Sequence, residues 1–290
     1  MLDWIGFALI WLLHFLPLRV LAAIGMCAGM ILYALDIRRR RIVRLHLRLC
    51  FPKLSGRERE RIVRRHYCAL VRSLLERGIV WWWSKEHIQN VVKIEGLEYA
   101  DLKKQHPTIW LAPHFIGLEI AAIRLSAEFS GVCLFAQHKR ARFETILLRR
   151  RTRFVTSRAV RWKNGLRTVI KAMHEGLPLY YGPDVDRGPR RAVFVSFFGV
   201  QSATATSLSR IARITGARVV PCVSRQLPGS AGYCVQFYPE WQGFPSYDLA
   251  ADTRRMNAFI EQRVMEMPEQ YQWFHKRFNT RPPGGHLVYK

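Results

Sequence analysis

The sequence predicts an α/β protein: a mixed central sheet flanked by helices, carried behind an N-terminal membrane-anchor helix. Three observations predict it. Between Trp4 and Leu35 the only charged side chain is Arg19, and the run ends at Asp36 and the arginines Arg38 to Arg41, as an apolar segment ends at a membrane boundary. From about residue 107 short apolar runs alternate with amphipathic stretches, the pattern of strands and helices in layers. The 290 residues are 49% hydrophobic with only 19 Gly and 14 Pro, which excludes a disordered, collagen-like or low-complexity chain and suffices for one large domain.

The elements follow in chain order. As one helix, the run 4–35 is about 48 Å long, more than the roughly 30 Å of a hydrocarbon core. Pro17 and Arg19 interrupt it and 20–35 is slightly short for a span, so a tilted helix and a re-entrant or interfacial hairpin both stay open. A buried helical hairpin of a soluble core is the remaining alternative. One anchor over residues 1–36 is expected, then a single domain over 37–290 on the cytoplasmic side, where the arginines fall. Because the basic cluster follows the apolar run, a cleaved signal peptide is disfavoured. Residues 57–83 place Ile62, Val63, Tyr67, Leu70, Val71, Leu74 and Leu75 at helical spacing and end in Trp81-Trp82-Trp83, which suits a headgroup zone or a core edge equally. Strands are expected at 108–112, 132–136, 178–181, 192–197, 218–223 and 233–238. Helices are expected at 118–129, 143–150, 165–174, 204–215 and 253–267.

Against 46 Lys plus Arg stand 21 Asp plus Glu, a formal charge of +25. Such a chain needs an anionic partner: nucleic acid, an anionic membrane surface, or an acidic protein or substrate. The basic residues are spread along the whole chain and form no helix-turn-helix, zinc-finger or RNA-binding motif. The six cysteines form no C-x-x-C pair and read as reduced and mostly buried.

His114 follows the strand at 108–112 and precedes a helix. Ligands of open α/β sheets bind outside the carboxyl ends of strands. With Gly117 turning the chain and Glu119 in the first helical turn, the carboxylate is expected to reach one ring nitrogen while the other faces a cleft. A carboxylate-held imidazole is a general base. Composition alone gives roughly 0.7 such pairs by chance, so the position carries more weight than the spacing; a histidine capping a strand end is the plain alternative. No G-x-S-x-G elbow and no adjacent Ser or Cys supplies a nucleophile. The histidine is therefore expected to activate a substrate hydroxyl directly, in acyl transfer without an acyl-enzyme.

The loop Gly182-Pro183-Asp184-Val185-Asp186-Arg187-Gly188 follows another strand. Its acids and Arg187 can order a polar pocket, hold Mg²⁺, or form a solvated turn. Arg149-Arg150-Arg151-Thr152-Arg153 and Lys139-Arg140-Ala141-Arg142 suit a phosphate cradle or a solvated face.

Together these residues resemble the late acyltransferases of lipid A biosynthesis, the lauroyl/myristoyl type, within the lysophospholipid acyltransferase superfamily. The likeness covers nearly the whole chain. It rests on the apolar N-terminus, Leu49-Cys50-Phe51-Pro52, Ala112-Pro113-His114 with Glu119, the loop 182–188, residues 193–199, and Pro268 to Phe278 followed by Thr280-Arg281-Pro282. The resemblance implies a glycerol-3-phosphate acyltransferase-like fold and a bacterial inner-membrane enzyme. That enzyme would move a fatty acyl chain from acyl carrier protein to a hydroxyl of a phosphorylated lipid A precursor, using no cofactor and no metal. His114 and Glu119 match the family's His-x4-acid catalytic motif. Arg151 falls where the family carries an arginine after its second block, and Asp184 and Asp186, with Arg187 beside them, match its third; all four are expected to bind substrate. The chain departs from the family at Ala136-Gln137, where Arg-Pro is frequent, so a variant acceptor stays open. Acylation of another lysophospholipid or glycolipid, and a membrane-tethered nucleic-acid-binding role, are the rival readings. Acyl chain length would be set by the depth of an apolar tunnel.

Overall fold

The computed structural model describes residues 2–100, 106–135, 141–154, 158–161 and 165–289; the Ala136-Gln137 pair and Lys139-Arg140 lie outside them. The apolar N-terminus folds as two helices, α1 (Leu2–Leu13) and α2 (Leu18–Leu35), broken where Pro17 falls. Pro17 stands at the N-cap of α2, where a residue without an N–H is tolerated, and could not continue α1. Of the two, α2 is long and apolar enough to cross a membrane, with a mean hydropathy of 2.0.

Next come α3 (Ile37–Cys50), α4 (Gly56–Trp82) and α5 (Lys85–Val91). Ser55 and Glu58 cap each other's backbone at the start of α4, satisfying N–H groups that the helix itself leaves free. Helix α2 lies along α4 on two glycines: a Cβ on Gly25 would come within 2.6 Å of the Arg72 backbone, and one on Gly29 within 2.5 Å of that of Cys68. The far end of α4 is closed by Arg153, which donates to the carbonyls of Trp81 and Trp83, and by Arg150, whose guanidinium lies 5.3 Å from the Trp82 ring. Cations here offset the negative end of the helix dipole. These two arginines of the basic run thus hold a helix end, and Trp81, 2% exposed, is a core edge.

The sheet contains β1 (Val92–Glu95), β2 (Thr108–Leu111), β3 (Val132–Phe135), β4 (Arg158–Arg161), β5 (Leu179–Tyr181), β8 (Arg218–Gln226) and β9 (Tyr233–Phe237) in the order β1-β9-β8-β2-β5-β3-β4. All neighbours are parallel except β8 and β9. Strand β2 at its centre is buried throughout, as a parallel strand covered on both faces must be. A separate antiparallel hairpin joins β6 (Ala192–Phe197) to β7 (Val200–Ala205).

Helices α6 (Leu118–Ser126), α7 (Ala141–Arg151), α8 (Leu166–His174), α9 (Ser207–Thr215) and α10 (Leu249–Glu266) complete the layers. One apolar core joins α3, α8, α9 and α10 to the sheet, and a second lies between the opposite sheet face and α4, α5 and α6. Strands β1, β4 and β7 lie outside the expected set; β7 covers the start of the helix expected at 204–215. All six cysteines are free thiols.

Candidate active site

Two adjacent strands build the site. In β2 and β5 the last paired residues are Leu111 and Tyr181, and each is followed by a small residue, a proline and a polar residue: Ala112-Pro113-His114 and Gly182-Pro183-Asp184. Parallel strands in register deliver both third residues to the same edge. His114 Nδ1 meets Asp184 Oδ1 at 2.6 Å, and the His114 backbone N–H donates to both oxygens of that carboxylate at 3.1 and 3.2 Å. A Cβ on Gly182 would come within 2.8 Å of the His114 ring, so only glycine admits the imidazole here.

Asp184 is 1% exposed. Burial alone would raise its carboxyl, but His114, Arg277 and the hydrogen bonds outweigh that and hold it well below the usual carboxylate range. An ionised carboxylate only accepts, so His114 Nδ1 is the donor, which in the neutral ring leaves the lone pair on Nε2.

The expected bond between Glu119 and the His114 ring is corrected. Glu119, in the first turn of α6, faces Arg151 instead, with Nε and Nη2 each 3.2 Å from one of its oxygens, and Arg77 Nη1 lies 3.5 Å away. Burial would raise the Glu119 carboxyl, and the two guanidiniums lower it. Helix geometry explains the miss: a side chain in the first turn points along its own helix face, here toward α4 and α7, while the adjacent strand brings a closer carboxylate.

A cavity of about 310 Å³ opens beside His114. Its polar end is lined by His114, Glu119, Arg77, Arg151 and Arg187; its apolar remainder runs between α6 and the strands past Ala122, Ile123, Phe129, Val132, Leu134 and Leu148. Arg151 and Arg187 are therefore on its wall. Asp184 lies behind His114 and off the wall. Asp186 is also off the wall: it accepts from the Gly188 N–H at 2.8 Å, the Thr280 N–H at 2.6 Å and the Thr280 hydroxyl at 2.9 Å. These bonds make the two acids part of what holds the loop.

Behind the site runs a segment to which the sequence assigned no role. Phe115 bridges to Tyr271, Gln272 N–H donates to the His114 carbonyl at 2.9 Å, and the His275 ring packs 5.4 Å from that of His114. Burial, then His114, lowers the His275 imidazole from its ordinary value.

An apolar N-terminal helix pair, an α/β sheet and a carboxylate-held histidine at the mouth of an apolar cavity suit an enzyme that acts on a lipid. The chain belongs to the family described as bacterial lipid A biosynthesis acyltransferases, whose pattern matches residues 1–280. It is 33% identical over 98% of its length to the lipid A biosynthesis lauroyltransferase of Escherichia coli (strain K12), covering 93% of that protein. The palmitoleoyltransferase of the same strain is 30% identical over 99% of this chain and 94% of its own length. Among solved structures, the 1-acyl-sn-glycerophosphate acyltransferase of Thermotoga maritima aligns over 88% of this chain and 98% of its own, at 16% identity and a TM-score of 0.41.

Proposed function

We propose that the protein transfers a fatty acyl chain from the thioester of acyl carrier protein to a hydroxyl of a phosphorylated lipid A precursor, at the bacterial inner membrane, with its catalytic domain on the cytoplasmic side. The observation that carries the mechanism is the 2.6 Å bond from His114 Nδ1 to Asp184. It leaves Nε2 to take the proton of the acceptor hydroxyl. The hydroxyl oxygen then forms the ester bond, the C–S bond breaks, and the thiolate leaving group recovers a proton from the imidazolium. Arg77 and Arg151 outnumber Glu119 by one charge; that excess beside the thioester carbonyl stabilises the oxyanion, and Glu119 fixes the two guanidiniums. The apolar cavity takes the acyl chain, and the net charge of +25 draws in the acidic carrier and the anionic acceptor.

The membrane is met by α1 and α2. Helix α1 exposes Trp4, Ile5, Leu9 and Leu12, the turn after it exposes Phe15, and α2 exposes Val20, Ile24, Met30, Ile31 and Leu35. We place these faces in the lipid, with α2 lying along the interface.

The test is acyl transfer in vitro, from acyl carrier proteins of graded chain length to a defined lipid A precursor. His114→Ala is expected to lose at least about 10²-fold, the scale of a general base; near-normal rates overturn the mechanism. Mass spectrometry of lipid A from a deletion strain is expected to lose one secondary acyl chain. Unchanged lipid A with altered phospholipid would favour the lysophospholipid reading instead.

A further inference from the structure

The C-terminal segment from Pro268 to Phe278 encloses a buried chain of polar groups that ends on Asp184. Tyr271 donates its hydroxyl to Asp184 Oδ2 at 3.0 Å. Arg277 Nη1 donates to that same phenol oxygen at 3.3 Å, and its Nη2 donates to Asn257 Oδ1 at 2.7 Å. Asn257 in turn donates to the Ser196 carbonyl at 2.9 Å, which fixes which end of its amide faces Arg277. The guanidinium lies 3.9 Å from the Phe197 ring centre.

A phenol has one proton. Because Arg277 can only donate, that proton is directed to Asp184, and Tyr271 becomes an obligate donor to Oδ2. Oδ1 is left for His114 Nδ1–H. Arg277 is 4% exposed and touches no carboxylate among the described residues; the anion it feels is Asp184, through the phenol. A buried guanidinium is costly unless compensated, so this arrangement keeps a cation and an anion at opposite ends of one hydroxyl.

We propose that Tyr271 and Arg277 are positioning residues of the acyl transfer, holding Asp184 as an acceptor-only carboxylate so that His114 presents an unprotonated Nε2 to the acceptor hydroxyl. This rests on His114 as the base. Burial holds the Tyr271 phenol far above its ordinary value, so it stays a donor at every working pH. Burial works against the charge of Arg277, but Tyr271 and Asp184 outweigh it and raise the group further.

The sign of the effect follows from charge. A positive Arg277 disfavours a second positive charge on His114, and the Tyr271 bond spreads the charge of Asp184. Removing either makes the imidazolium easier to form. The other groups around the pair are His275, Arg187 and Tyr181, with Glu119, Arg77 and Arg151 along the cavity, and Cys50 and His46 facing Arg277.

The experiment is the pH dependence of kcat and KM for full-length enzyme in detergent, with Tyr271→Phe and Arg277→Gln. Tyr271→Phe keeps the ring and tests the bond if Arg277→Gln fails to fold. Both are expected to lower kcat about tenfold with KM little changed, and to move the acid limb of kcat/KM about half a pH unit or more to the alkaline side. Arg277→Lys, retaining the charge, is expected to leave the limb in place. The shift is expected to survive in a His275→Gln background, and its loss there overturns the assignment to His114. Profiles of Tyr271→Phe that superimpose on the wild type after scaling for folded enzyme overturn the proposal. Activity in His114→Ala would instead overturn the mechanism on which it rests.

Discussion

Two carboxylates stand within reach of one active site, and exchanging each for its amide separates what they do. Asp184→Asn removes the anion that stabilises the His114 imidazolium. It is expected to cost at least about 10²-fold in kcat and to move the acid limb of kcat/KM to lower pH, because the protonated ring loses its partner. Glu119→Gln leaves that bond untouched and unties Arg151 and Arg77, so kcat is expected to fall with the limb unmoved. A limb that moves with Glu119→Gln and stays with Asp184→Asn would restore the pairing read from the sequence. The sequence made His114 legible because a polar residue just past an apolar strand is a local feature. Its true partner lay 70 positions away, and only strand order brings β2 beside β5. A signal was present nonetheless: small-Pro-polar follows both strands, and two such endings on parallel neighbours would converge. The ties of Asp186 to Thr280 had no such mark, since no spacing links residue 186 to residue 280.

Helices α3 and α4 grip the C-terminal segment through two buried histidines. His46 Nδ1–H donates to the Trp273 carbonyl at 2.7 Å and its Nε2 accepts from Tyr289; His66 Nδ1–H donates to the Glu269 carbonyl at 2.9 Å. Burial lowers both imidazoles to about 4. Between that value and the ordinary ~6.5 the unfolded chain binds protons that the folded one refuses, so stability is complete above about pH 6.5 and falls as pH drops toward 4. Each histidine accounts for about 3 kcal/mol across that window. Denaturant unfolding followed by the Trp273 environment is expected to show a lower midpoint at pH 5 than at pH 7, and His66→Gln is expected to flatten that dependence; an equally steep wild-type and variant response would refute it. The elements themselves were uneven in legibility. Strands β2, β6 and β8, rich in apolar and β-branched residues, follow from composition. Strands β1 and β4, as Val-Lys-Ile-Glu and Arg-Ala-Val-Arg, are edge strands whose alternation is too short to separate from a helix. The cavity, too, belongs to this scale. Ala122 lies on its wall one turn into α6, and Ala122→Phe is expected to shift donor preference toward shorter chains, by roughly fourfold per excluded methylene at about 0.8 kcal/mol each. An unchanged ranking in competition between carrier-linked acyl chains would place the chain elsewhere.

At the scale of the molecule the question is how an apolar helix long enough to cross a bilayer sits beside a polar enzyme. Its midpoint answers it. Gly25 rests on the backbone of Arg72, and the Arg72 side chain reaches the Leu227 carbonyl at 2.9 Å, one residue beyond strand β8. Arg72 also pairs with Glu76 at 2.7 Å inside the protein. One helix therefore separates the middle of α2 from the sheet. An α2 standing upright in the bilayer would carry α4 and the edge of the sheet into hydrocarbon, where exposed strand backbone and unpaired arginines are not tolerated. In the interfacial placement proposed above, α2 would bury its exposed face and Arg38, Arg39 and Arg41, beyond its end, would reach anionic headgroups. The turn between α1 and α2 then stays on the cytoplasmic side. A single cysteine at Phe15, in a variant without Cys27, is expected to react with a membrane-impermeant maleimide in inverted membrane vesicles and to be silent in intact spheroplasts. Labelling in spheroplasts would mean that α2 crosses, and that the contact between α2 and α4 opens when the protein enters the membrane.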